Sequence, residues 1–480
     1  MQPQPHKTMK PLLPLYALLG LSLSAAAQSF RPGDLYLYTP AFEGISSSGG
    51  SIVHIDPLSG AVTQFIDLET SSGGHDQIAY DPYRDRLIFQ GGFVPNHTEL
   101  YLANATGAVT SLGFGSVAGP FLGGFAATGT GDIYFRRSTQ LNELTRLDAV
   151  NQAHPLLGST GTVPFVPSGW HFGMIQSMEY HAPTHSLVVG YGSNLGVCTG
   201  GDIKQISLRR LDLSADGTRV IGEACWQYDL DPGQFNGTVV GLAPMSSGDL
   251  LMTIDNNSNS TLPRMVRVNP AAQTAVAFAS NGHAFSAATN AGAFSRLRNQ
   301  AVILDTGNDV LRGFVASQVG SGVVFASGVS WPGSSGEVAT LIEVGDPRTP
   351  YLMTAAPLTI AGAAGGTQSW TIDFGPANAG MVYLVLGSLH GWTPATFYGG
   401  VPVPLVADNY SLFTINNAGG AFFPGSVGLL DAQGRATAQV VMPASVTVAF
   451  VGLTAYHATL GLTPSLIAIG ATNAVPLTIQ

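Results

Sequence analysis

The chain has 480 residues, of which 45% are hydrophobic and only 10% charged, with 60 glycines and 30 prolines. It is too apolar to be disordered and too rich in turn residues to be helical. The 19 Lys and Arg against 29 Asp and Glu give a net charge of −10, and the basic residues form no cluster, which excludes the phosphate-neutralising surface of a nucleic-acid-binding protein.

Lys7 and Lys10 precede the apolar run PLLPLYALLGLSL, and residues 25–27 (AAA) have the small-x-small form of a signal-peptidase site. Residues 1–27 therefore read as a signal peptide, with the mature chain beginning at Gln28. No cysteine follows the run, as a lipoprotein anchor needs, and no later segment is apolar for long enough to span a bilayer. The expected location is extracellular, periplasmic or at the cell surface. In such an oxidising compartment Cys198 and Cys225 read as one disulfide, and their spacing matches no zinc motif.

Six short apolar strands begin at Leu35, Leu87, Ile133, Leu187, Leu250 and Val302, at irregular intervals of 46 to 63 residues. Five are preceded by a further strand and a tight turn: QIAYDPYRDR, FAATGTGD, MEYHAPTHS, GLAPMSSGD and FSAATNAGAF. The first unit lacks that leading strand, and GEVATLIEV, residues 336–344, is placed to supply it and close a ring. Strands this short cannot bury an apolar face alone, and the irregular intervals argue against a solenoid with fixed rungs. Residues 346–350 read as a linker. Beyond them LTIAGAAGGTQSWTIDF, MVYLVLGSL, YSLFTI, the hairpin SVGLLDAQGRATAQVVM, VTVAFVGLTAYHATL and AVPLTI read as an antiparallel β-sandwich over residues 351–480. The fold class is all-β.

The DxLY-type and DxLL-type second strands and the turn IDPLSGAVT resemble those of six-bladed β-propellers of the lactonase-like and quinoprotein-like kind, a resemblance that covers residues 28–345. The order YLVLGSL, GGVPVPL, LLDAQGRATA, TNAVPL resembles a C-terminal sandwich domain of exported bacterial propeller proteins, which brings no catalytic residues with it. The chain departs from the lactonase-like pattern in lacking its Glu, Asn and Asp metal set on the inner strands, where Glu179 and Glu337 have no evident companion. The quinoprotein-like tryptophan repeats are missing too.

No GxSxG elbow, HExxH, P-loop or dinucleotide fingerprint occurs. In a propeller the loops entering each innermost strand converge on the channel mouth. Those loops carry His75, Asp76, His171, Gln176, Asn236 and His283, beside Trp170, Phe172 and Phe235. Such a set suits divalent-metal or ligand binding, and the competing reading makes each a strand cap or loop partner. Asp212, Ser214, Asp216 and Glu223 fit a calcium-loop spacing, but their strand flanks favour an Asp-Gly hairpin turn. His181 and His185 read as solvated turn histidines. The residues point to a non-catalytic, monomeric binding protein that engages an extracellular polymer, protein or small ligand at a propeller face. The alternatives are a metal-dependent hydrolase or lyase with its site at the channel mouth, and a structural ring with an apolar channel.

Overall fold

The structure is a computed structural model. It describes residues 29–39, 51–67, 78–91, 99–112, 124–136, 144–162, 175–191, 206–228, 237–245, 248–256, 265–278, 292–305, 310–316, 322–327 and 340–480. The protein is all-β. Up to residue 344 the described residues form six four-stranded antiparallel sheets. The first holds β1 (Leu35–Thr39), β2 (Ser51–Ile55) and β3 (Val62–Asp67); the second β4 (Ile78–Asp81), β5 (Arg86–Gly91), β6 (Glu99–Ala103) and β7 (Val109–Ser111). The third holds β8 (Phe125–Ala127), β9 (Ile133–Arg136), β10 (Leu144–Leu147) and β11 (Ala153–Pro155); the fourth β12 (Ile175–His181), β13 (Ser186–Tyr191), β14 (Ile206–Leu213) and β15 (Val220–Tyr228). The fifth holds β16 (Gly237–Pro244), β17 (Leu250–Asn256), β18 (Met265–Asn269) and β19 (Thr274–Ala277); the sixth β20 (Gly292–Ser295), β21 (Gln300–Asp305), β22 (Val310–Phe314) and β23 (Val323–Ser327). A last strand, β24 (Thr340–Glu343), returns to the first sheet and pairs antiparallel with β1, Leu35 opposite Glu343.

The first strands of the sheets, β24, β4, β8, β12, β16 and β20, touch in a cycle, so the sheets stand radially about an axis as in a β-propeller. Period-2 alternation explains the stacking. On β1, Leu35 and Leu37 enter a core shared with Val302 and Leu304 of the sixth sheet, while Tyr36 and Tyr38 enter one shared with Leu87 and Phe89 of the second. Both faces of β1 are thereby buried, which accounts for its near-continuous apolar run, whereas outer strands such as β3, β7 and β19 stay largely exposed.

The inner turns alternate around the ring. After β8 and β16 they close through Thr128 N–H to Asp132 O (3.0 Å) and Met245 N–H to Asp249 O (2.9 Å), and Val344 N–H to Asp34 O (2.8 Å) reproduces that bond across the two ends of the ring. The same aspartates then reach the third strand of their sheet: Asp34 to His54 (2.8 Å), Asp132 to Arg146 (2.9 Å), and Asp249 to Arg267. After β4, β12 and β20 the turn instead ends on a left-handed residue, Asp85, His185 or Asn299, with φ of 50°, 47° and 51°. The ring therefore repeats as three two-sheet units.

For the sixth sheet this corrects the sequence reading. The strand ahead of Val302 is Gly292–Ser295 and its turn is residues 296–299, because Asn299 supplies the left-handed corner expected of Asn-Ala-Gly. His181 and His185 are also not solvated. His181 is buried, bonded to Gly248 O and Thr184 Oγ1 (both 2.6 Å), and His185 joins the Tyr180 hydroxyl (2.7 Å) to Ser214 O (2.9 Å).

Beyond residue 350, a three-stranded sheet (Leu352–Ala356, Gly365–Asp373, Arg435–Pro443) faces a larger one containing Val382–Ser388, Thr454–Leu462 and Val475–Ile479. Between them lies a core with Trp370, Ile372, Val385, Val440 and Leu477. Three expected elements differ. YSLFTI lies in a helix, α1 (Asn409–Asn416), started by the Asp408 carboxylate accepting from Ser411 N–H (2.9 Å) in a capping box. VTVAF forms short helical turns at Ala444–Thr447 and Val448–Phe450. The expected 426–442 hairpin splits, Val427–Leu429 pairing with Val382–Ser388 and Arg435–Pro443 with Gly365–Asp373, so its turn crosses between sheets.

The C-terminal residues seat against the turns that leave the inner strands. Trp392 is 1% exposed, stacks on Tyr80 (5.7 Å) and donates from Nε1 to Phe30 O (2.8 Å); the Thr393 hydroxyl donates to Pro82 O. Leu297, from the β20 turn, enters the C-terminal core. Replacing Trp392 by Ala removes a fully buried indole, and is expected to lower the unfolding free energy by about 3 kcal/mol in denaturant titrations.

Candidate functional site

All six innermost strands line one central cavity of about 80 Å³. The approach of strands at the axis is close: a Cβ on Gly241 would sit 2.9 Å from Gly292 O, so β16 and β20 need glycine there. The lining is mostly apolar, including Ile78, Phe125, Met178, Leu242 and Phe294. Three charged side chains interrupt it: Glu179 on β12, Glu343 at the end of β24, and Arg296 directly after β20.

Arg296 and Glu343 form a buried pair. Arg296 donates from its backbone N–H to Oε1 and from Nε to Oε2, both at 2.5 Å. Its Nη1 reaches Asp346 O (3.1 Å) and Thr349 Oγ1 (3.3 Å), so the same guanidinium ties β20, β24 and the segment leading to the C-terminal sheets. Burial pushes the Glu343 carboxyl up from its ordinary value, with Arg296 opposing. Gly345 makes room for the guanidinium, since a Cβ there would overlap Nη2.

Glu179 has no such answer. Tyr180 N–H donates to its Oε1 (2.9 Å), and Oε2 has no hydrogen-bond partner among the described residues. Glu179 is half-buried and lines the cavity. Burial raises its pKa to about 8, opposed by the Tyr180 hydrogen bond and the Arg296 charge. The repeat explains why it stands out. With the left-handed corners superposed, Glu179 falls where the sister units have Ala79 and Ala293, and Glu343 falls where they have Ala127 and Pro244.

Of the residues singled out from sequence, His75, Asp76, His171, Asn236 and His283 lie outside the described residues, as do Trp170, Phe172, Phe235, Cys198 and Glu337. Gln176 is on β12, with its side chain undescribed. Cys225 sits on β15 opposite Arg209. The calcium-spaced set falls on the hairpin of β14 and β15. Arg210 Nε bonds Asp212 (2.8 Å), Ser214 Oγ and Thr218 N–H bond Asp216 (2.6 and 3.2 Å), and Glu223 faces Arg209 (3.8 Å).

That hairpin is one copy of an outer turn. Ser214 stands where Asp56, Asn104, Asp148 and Asn269 stand, each accepting backbone N–H groups, and Gly217 stands at the left-handed corner held elsewhere by Gly60, Gly107, Asn151 and Gln273. Among the described residues no group of three or more His, Cys, Asp and Glu is arranged to hold a metal ion.

No family model and no curated protein matches the chain. Among solved structures it is similar to the periplasmic gluconolactonase PpgL of Pseudomonas aeruginosa, with a TM-score of 0.39 and 14% identity over 62% of this chain and 98% of that one. It is also similar to a structural-genomics protein of unknown function from Bacteroides thetaiotaomicron VPI-5482, with a TM-score of 0.35 and 13% identity over 58% of this chain and 68% of that one. Likeness at this level bears on neither activity nor substrate.

The sequence marks Glu179 but not the Arg296–Glu343 pair that lines the same cavity. Arg296 was hidden in a turn assigned to the wrong segment, and Glu343 in a strand where Glu337 drew attention. Aligning the left-handed corners is the signal that exposes both glutamates.

The Glu179 carboxyl binds its proton more tightly in the folded chain than unfolded, between pH 4.5 and about 8. Stability therefore falls as pH rises through that window. Urea midpoints of the wild type should drop between about pH 6.5 and 8, and Glu179→Gln should flatten that drop. Gly345→Ala, which evicts the Arg296 guanidinium and strands Glu343, is expected to cost about 3 kcal/mol in the same titrations.

Proposed function

We propose that this chain is an exported binding protein, a six-bladed propeller of lactonase-like architecture with a C-terminal sandwich, that engages an extracellular polymer, protein or small ligand on one face of the ring. The observation that supports this reading is the seating of Trp392 and Leu297. The chain's own C-terminal residues occupy the side where the inner strands end, and the partner engages the side where they begin. The polar groups of the cavity favour the same reading, since Arg296 and Glu343 are spent on each other and on the 346–349 segment. In the mature chain Cys198 and Cys225 are joined, bracing the fourth sheet at β15.

The loops that enter the inner strands carry His75, His171 and His283, and they are where a metal-dependent hydrolase would differ from a binding protein. Elemental analysis of the purified mature protein, alongside His75→Ala, His171→Ala and His283→Ala, separates the two. The binding reading expects either no stoichiometric metal or a metal content indifferent to all three changes. A stoichiometric metal lost in each variant would overturn it in favour of the hydrolase.

A further inference from the structure

The charges around the central cavity do not balance by themselves. Glu343 and Arg296 cancel, and the remaining donors of Arg296 that have named acceptors point away to Asp346 O and Thr349 Oγ1. Glu179 is left over, with Oε2 unpartnered among the described residues. The described residues that line the cavity supply no other charge. On its own strand His181 is tied to Gly248 O and Thr184 and kept neutral by burial. β8 and β16 carry no titratable side chain; β4 brings Tyr80, which burial keeps un-ionised, and Asp81, which pairs with Arg84 and Arg86 (2.5 and 2.9 Å) and does not line the cavity. Beyond β24, Asp346 and Arg348 pair with each other at 2.6 Å. The described lining is neutral with Glu179 protonated and carries one negative charge with it ionised.

One proton or one positive group therefore completes the cavity, and the backbone indicates which group. Each inner strand pairs on one side only, so about half of its N–H and C=O groups face the axis without a ladder partner. A primary ammonium has three donors: one suits Glu179 Oε2, and the others suit inner-edge carbonyls. A divalent cation asks for roughly six oxygen ligands, and among the described residues that line the cavity only one carboxyl is unpaired. A neutral alcohol would leave Glu179 protonated and gain no charge partner.

We propose that the central cavity binds a small primary ammonium group, which takes the place of the Glu179 proton. The ammonium keeps its own three protons, the Glu179 proton leaves to solvent, and the bound state is a carboxylate–ammonium pair. A cavity of about 80 Å³ limits the inserted part to the ammonium and a carbon or two. The carboxyl titrates at about 8, close enough to neutrality for the exchange to proceed there.

The test is calorimetric titration of the full mature protein with methylammonium chloride, at pH 6 and pH 8 and in two buffers of different ionisation heat. Potassium chloride and ethylene glycol serve as the competing probes. Saturable methylammonium binding is expected, tightening about tenfold per pH unit between pH 6 and 8, with nearly one proton released at pH 6. Glu179→Gln, nearly isosteric with the protonated acid, should abolish it. The proton release and pH slope are read on the wild type, so they test the inference even if that variant misfolds. Absence of saturable binding, binding indifferent to pH or to Glu179→Gln, or equal binding of potassium or ethylene glycol would overturn it.

Discussion

The ring holds only because its two ends meet. β24 and β1 are joined by strand pairing and by the bonds between Val344, Gly33 and Asp34, with no covalent link across the seam. Closure removes the open edges that six separate four-stranded sheets would otherwise expose. Arg296 sits where that seam meets the sixth sheet and the segment leading to the C-terminal sheets. By gripping Glu343 through both backbone and guanidinium while holding Asp346 and Thr349, it ties the seam of the ring to the segment leading to the C-terminal sheets. Isolated pairs on a surface contribute little. This one is enclosed, so losing either member leaves an unanswered buried charge.

The alternation of inner turns gives the ring an approximate threefold repeat, and the repeat explains where chemistry is concentrated. Corner residues 85, 185 and 299 share a left-handed conformation, and Tyr80 and Tyr180 each donate to the corner that follows, Asp85 and His185. Positions that obey the repeat are packing positions. Glu179 and Glu343 break it, each at an axial slot that is otherwise Ala or Pro, and those departures make the cavity polar.

The junction between ring and C-terminal sheets has its own titratable group. Asp85 accepts from the Tyr80 hydroxyl (2.6 Å) and the Phe30 N–H (3.3 Å) just beneath Trp392. Burial outweighs those bonds and raises its carboxyl to about 6. Folding thus takes up a proton there as well as at Glu179, and both sites favour the folded chain on the acid side of neutrality.

The all-β class, the second strands beginning at Leu35, Leu87, Ile133, Leu187, Leu250 and Val302, and the outer Asx turns were legible in the residues. Period-2 burial and side-chain capping of turns are local physics, written within a few neighbours. Where local signals competed, the sequence misled. YSLFTI alternates like a strand, yet the Asp408 cap and the fit of Ser411 and Thr414 against Gly387 make it a helix. The 426–442 segment has a good turn, and only the two sheets could decide that its arms part. The pairing of Glu343 with Arg296, 47 residues apart, and the isolation of Glu179 between them belong wholly to tertiary structure. Charge balance in a cavity depends on which strands meet at the axis, and no single stretch of chain contains that information.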